Sequence, residues 1–255
     1  MADNFYTGNR QDRVYRVSAF PSATLQTSVA VDGDETSPNG CGWDGTNIRY
    51  NGNVTDKLYL QSGHTSTTLK SSLNVSGDDN NPIGMSTDVN NTPWLGNEFE
   101  QLITQSGGTS TFSSTVKFSI DVTDDDNATR GISFNATNTP FVGQQNDKLY
   151  VKSGGVTAYS ASLKTSLSIS GDDTSAHGIS WDGTNTPWGG SQNDLLYLQS
   201  GGDTSFSSTI KSSSDIVLID SSPKDMSTED VNARLGLAAA APIPSLVTAP
   251  PIPPQ

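Results

Sequence analysis

Apolar and polar positions in this chain alternate in short bursts. Leu58 and Leu60 fall on one face with Tyr59 on the other, and Val14, Tyr15 and Arg16 alternate in the same way. A period of two over four to eight residues predicts β-strands. Only Glu229 to Ala241 carries a trace of helical periodicity. Asp44-Gly45 and Asp182-Gly183 sit between strand candidates. Such pairs favour a two-residue hairpin, because its turn needs φ > 0. Gln-Ser-Gly and Ser-Gly-Asp-Asp mark further turns.

The bursts recur. Gly178 opens Gly-Ile-Ser-Trp-Asp-Gly-Thr-Asn-Thr-Pro-Trp, and gapless copies start at Gly131 and Gly84, with a shorter one at Gly40. The starts lie 44, 47 and 47 residues apart. A second block follows each: Asp56 to Gly63, Glu100 to Gly107, Asp147 to Gly154 and Asp194 to Gly201. A third, Ser/Thr-rich block carries one lysine, at Lys70, Lys117, Lys164 and Lys211. Each repeat thus offers roughly four short strands in about 45 residues, the size of a propeller blade.

The ends carry complementary half-copies. Asp12 to Ser18 matches the second block and Leu25 to Val31 the third, while Met226 to Asn232 matches the first. A closed ring joins its ends and leaves no bare edge strand, whereas a solenoid needs atypical caps. The expectation is an all-β, five-bladed β-propeller over residues 12–237, closed by its N- and C-terminal half-repeats. A β-solenoid or fibre-like stack and tandem sandwiches are the alternatives. Residues 1–11 are set apart as an N-terminal extension, and 238–255 as a Pro/Ala-rich tail. That tail favours extended polyproline II conformations. Its Ile243, Leu246, Val247 and Ile252 are candidate anchors for docking to a partner.

Composition narrows the function classes. Lys and Arg number 14 against 27 Asp and Glu, a formal charge of -13, which argues against a nucleic-acid surface. Hydrophobic residues are 32%, so the core must be built from thin layers, as repeats do. A lone Cys41 leaves no internal disulfide or multi-cysteine metal site, and no apolar run reaches bilayer length. The N-terminus lacks a signal-peptide pattern, so synthesis in a cytoplasm is expected.

The string from Gly178, followed by Leu-Tyr-Leu-Gln-Ser-Gly, resembles the propeller repeats of uncharacterised bacterial and phage proteins. The resemblance covers about residues 12–235. It implies blade architecture and leans towards a phage virion protein. The chain departs from the pattern at Thr87 and Thr228, where Trp is expected, so less bulk should pack there. The count of five units is also similar to the tachylectin type of sugar-binding propeller, although no sugar-site motif of that family is matched.

Candidate chemistry is sparse. Trp43, Trp94, Trp181 and Trp188 could stack sugar rings beside Asp44 and Asp182; the alternative is that they are blade-to-blade core. Asp124, Asp125 and Asp126 form the best calcium candidate, against a reading as solvated turns. The lysines at 70, 117, 164 and 211 are expected to form an outward ring that protects edges. His64 and His177 occupy unlike positions and have no nucleophile motif, so no catalytic residue and no cofactor is assigned. The leading expectation is a structural component of a virus particle, such as a phage tail, fibre or capsid-surface protein docked to other virion proteins. A lectin-like module that binds host glycans is the alternative.

Overall fold

The computed structural model describes residues 4–228 apart from 9–11, 19, 21, 23, 64, 67, 89, 97, 98, 136, 156 and 220–222. All regular structure among them is β-strand. Strands β1 (Asn4–Gly8), β2 (Arg13–Val17) and β3 (Leu25–Ala30) come first. Four contiguous four-stranded units follow. The first is β4 (Pro38–Trp43), β5 (Asn47–Gly52), β6 (Lys57–Ser62) and β7 (Leu69–Asn74). The second is β8 (Pro82–Met85), β9 (Asn91–Gly96), β10 (Gln101–Gly107) and β11 (Phe112–Asp121). The third is β12 (Thr129–Ile132), β13 (Asn138–Gly143), β14 (Lys148–Gly154) and β15 (Tyr159–Ser168). The fourth is β16 (Ala176–Ile179), β17 (Asn185–Gly190), β18 (Leu195–Gly201) and β19 (Phe206–Asp215). The last strand, β20 (Pro223–Thr228), returns to pair with β1, giving a composite sheet in the order β20-β1-β2-β3.

Each sheet is an antiparallel meander. Its first strand packs on its counterparts in the neighbouring sheets, and its fourth carries the exposed pattern of an outer edge. The close approach of the first strands explains the glycine that opens each repeat. A Cβ on Gly84 would lie 3.1 Å from the Arg130 carbonyl oxygen, and one on Gly131 would press into the His177 carbonyl. Among the described residues, five apolar clusters tie the sheets together, each spanning two of them. Leu58, Met85, Trp94 and Ile103 join the first two contiguous sheets. Leu95, Ile132 and Phe141 join the second and third, and Val142, Ile179 and Trp188 the third and fourth. The composite sheet meets the fourth through Tyr15, Val17, Leu198 and Met226, and the first through Val14, Val31, Cys41 and Tyr50. Repeated four-stranded units packed face to face in this way are a propeller arrangement.

The composite sheet repeats the local design of the others. Asp12, Asp56, Glu100, Asp147 and Asp194 all take positive φ, between 48° and 53°, at the turn into the third strand. Asp tolerates this conformation better than most side chains. Each of the five also accepts a hydrogen bond at its backbone carbonyl, from the amides of Val31, Val75, Val122, Ile169 and Ile216 respectively.

One boundary of the sequence reading is corrected. Residues 4–8, placed in an extension, form β1, so the N-terminal segment supplies three strands and the C-terminal segment one. Tyr6 pairs with Tyr15 in the register that Trp188 holds with Tyr197. The motif was hidden because β1 keeps only this aromatic and the closing Gly8 of the usual Asn-Thr-Pro-aromatic-x-Gly strand. The calls on 238–255, with Ile243, Leu246, Val247 and Ile252, lie outside the described residues, as does His64.

Candidate functional site

The repeated polar residues build a clamp. Glu35, Asp79, Asp126 and Asp173 are each about 1% exposed. Each carboxylate lies on the linker into the next sheet and accepts backbone amides. Asp173 takes those of Ser175 (2.8 Å), Gln192 (3.4 Å) and Asn193 (3.0 Å). Asp126 takes those of Ala128, Gln145 and Asn146 in the same way. Gly52, Gly96, Gly143 and Gly190 close the second strands directly beside these carboxylates, and a Cβ at any of the four would collide with its carboxylate. Tyrosine hydroxyls complete the clamp by donating to the preceding carbonyl: Tyr59 to Asp34, Tyr150 to Asp125 and Tyr197 to Asp172, at 2.9, 2.9 and 3.0 Å. Burial and the nearby carboxylates push the Tyr150 hydroxyl up to about 12.

This geometry corrects the calcium candidate. Asp126 is consumed by backbone amides, Asp125 pairs with Lys152, and Asp124 is exposed. Among the described residues no three such side chains converge on a metal position.

The indoles proposed for sugar stacking are core residues instead. Trp94 and Trp188 are fully buried, and Trp43 and Trp181 are at most 6% exposed. Trp188 stacks on Tyr197 with ring centroids 4.0 Å apart, as Phe141 does on Tyr150 at 4.8 Å. Asp44 and Asp182 hold their hairpins: Asp44 accepts from the amides of Thr46 and Asn47, and Asp182 from those of Thr184 and Asn185. The four lysines lie on the outermost strands and are exposed, as expected; Lys70 donates to Asn47 at 2.9 Å.

Thr87 does leave space. A cavity of about 320 Å³ opens beside it, lined also by Asp44, Asp88 and Lys70. Arg49, fully buried, bonds the Asn91 carbonyl at 2.8 Å and Asp44, one of the lining residues, at 3.3 Å. Burial holds this guanidinium below its ordinary range, with Asp44 and Asp88 acting the other way. The signal for Arg49 was available: the other contiguous copies carry proline there, at 93, 140 and 187.

The opposite end of the first strands forms the more distinctive site. A cavity of about 310 Å³ is lined from all five sheets. The second residue of each first strand reaches it: Asn39, Ile83, Arg130, His177 and Lys224. The remaining lining is Ser37, Asn53, Asn81 and Gln144. None of these nine is a carboxylate, in a chain of formal charge -13. A hydrogen-bonded chain links Arg130 to His177. Arg130 Nε donates to Gln144 Oε1 at 2.7 Å, Gln144 Nε2 donates to Ser175 Oγ at 3.1 Å, and that hydroxyl meets His177 Nε2 at 3.3 Å. Burial first, then Lys224 and Arg130, push His177 down to about 3. The imidazole is therefore neutral at pH 7, and Arg130 and Lys224 carry the positive charge. Burial also lowers Arg130, with Glu100 and Asp126 opposing.

With this geometry in hand, comparison places the fold. A chain in the crystal structure of a nidogen/laminin complex superposes with a TM-score of 0.57 and 13% identity, over 89% of this chain and 84% of that one. A protein from Lactobacillus plantarum superposes with a TM-score of 0.54 and 10% identity, over 88% and 71%. The fold is a β-propeller. No family model matches the sequence. No curated protein matches it either. At these identities the likeness carries architecture alone.

The sequence reading missed the site at this end of the first strands. His177 was noted, but its 47-residue relation to Arg130 and Lys224 was not. The signal was the residue before the repeat-opening glycine, or before Asp225 in the last copy, where the side chain changes from copy to copy.

Proposed function

We propose that this chain is a non-catalytic docking propeller and a structural component of a virus particle, of the phage tail, fibre or capsid-surface kind. We further propose that its five sheets count as five blades of one closed ring, with the composite sheet as the latch. The observation that carries this reading is that the repeated chemistry is spent on architecture. The clamp carboxylates, stacked aromatics and hairpin aspartates are all committed to holding sheets together. A body built this way keeps its faces fixed, which suits repeated docking between rigid partners. Residues 238–255, with their apolar anchors among prolines, are the proposed strap to neighbouring virion proteins.

The glycan-binding alternative loses its original support, because the indoles it relied on have no free face. The test is particle incorporation. Full-length chain and a truncation after Gly236 would be supplied in trans to a producing host, and purified particles probed by labelled antibody in negative stain. Decoration by full-length chain alone supports docking through the tail. Full-length chain absent from particles would sink the structural reading.

A further inference from the structure

We infer that the cavity lined from all five sheets is a binding site for a small polyol that carries an oxyanion, chemically an acidic sugar. The inference goes beyond the docking reading and does not depend on it.

The first argument is charge. Arg130 on β12 and Lys224 on β20 enter the cavity with His177 between them. All three line the same cavity, where burial first, and then Lys224 and Arg130, disfavour a proton on His177. Two cations held at one cavity whose described lining residues include no carboxylate, within an acidic protein, favour a negative group from solvent. The guanidinium is held by Gln144 and by the Thr129 carbonyl, at 2.7 and 3.3 Å, so its plane is set before any ligand arrives. A planar guanidinium suits a carboxylate, and charge-assisted bonds are the strong ones.

The second argument is the rest of the lining. Asn39, Asn53, Asn81 and Ser37 supply amides and a hydroxyl, while Ile83 is the one aliphatic side chain among the described lining residues. Asn81 Oδ1 is buried without a hydrogen-bond partner among the described residues. A buried acceptor left unpaired costs about 1–3 kcal/mol, and a ligand hydroxyl would satisfy it. A bare anion cannot donate that bond; a sugar hydroxyl can. The volume, about 310 Å³, stands at the lower end for small-ligand pockets, roughly 300–1,000 Å³.

The third argument is the contrast within the repeat. At the clamp positions every contiguous copy keeps a carboxylate, whereas at the cavity-facing position the five copies carry five different side chains. Each sheet offers the second residue of its first strand to the cavity, so these differences make one asymmetric pocket from a repeating frame.

The experiment uses the full chain at low salt, with glucuronate as probe and glucose and acetate as controls, followed by calorimetry. The expected result is millimolar binding of glucuronate, at least about tenfold weaker binding of acetate, and none of glucose. Arg130→Gln and Lys224→Gln should each weaken glucuronate about tenfold, the scale of one charge-assisted bond. Should either variant fail to fold, the wild-type chain still decides through NMR titration of His177. The groups acting on that ring are Arg130 and Lys224, with Glu100 and Asp126 acting on Arg130. A bound carboxylate favours the imidazolium, so the His177 titration should move upward with glucuronate and stay put with glucose. Absence of glucuronate binding to the wild type, equal binding of acetate, or folded variants that bind unchanged would each overturn the inference.

Discussion

The clamps and the cavity-facing positions sit on the same frame and behave oppositely. At the clamps, Glu35, Asp79, Asp126 and Asp173 do one job in each contiguous sheet, beside an invariant glycine. At the cavity, Asn39, Ile83, Arg130, His177 and Lys224 share a geometric position but are five different side chains. What repeats is what holds the sheets to one another. What varies at a fixed geometric position is free of that duty and open to ligand recognition.

The contrast can be broken most severely at the clamp glycine. Gly190→Val drives a branched side chain into the buried Asp173 carboxylate. A loss of more than about 4 kcal/mol is expected, or failure to fold, read from the denaturant midpoint. Asp173→Ala is next. It strips acceptors from three backbone amides and should cost about 3 kcal/mol, with Asp126→Ala close behind because the chemistry is the same. A loss below about 1 kcal/mol in both would remove the clamps from the account.

The third test uses pH. His177 is pushed down to about 3 in the folded chain, against an ordinary value of about 6.5. The unfolded chain therefore binds the extra proton first. Its contribution to stability is complete above pH 6.5 and is lost as pH falls towards 3. The slope difference between wild type and His177→Asn should approach ~1.4 kcal/mol per pH unit in that window, measured by urea unfolding at several pH values. Parallel curves would show that the imidazole is not buried among cations. The smallest effect is expected from Arg130→Gln, whose stability should change by less than about 1 kcal/mol while its ligand response changes most.

Much of the frame was legible in the sequence because strand periodicity and turn residues are local signals. The three blocks of each repeat became the first hairpin, the third strand and the outer strand. The half-copies correctly pointed to a sheet shared between the two ends. β1 escaped because Asn4–Gly8 retains too little of the Asn-Thr-Pro-aromatic pattern to be matched before register is known. The aspartates were read as solvated turns because sequence spacing does not reveal that one of each pair swings inward onto backbone amides. Arg130 and Lys224 were invisible as a site since nothing in one dimension says that the second residue of each first strand lines a common cavity.

The central claim is that the composite sheet latches a closed ring. Hydrogen exchange reads this most directly, since β20 meets β1 through a backbone ladder in which Tyr6 pairs with Met226. The account predicts that amides of β1 and β20 exchange as slowly as those of β16 and β17, because opening the latch requires global unfolding. Fast exchange in β1 and β20, with β4 to β19 still protected, would contradict it.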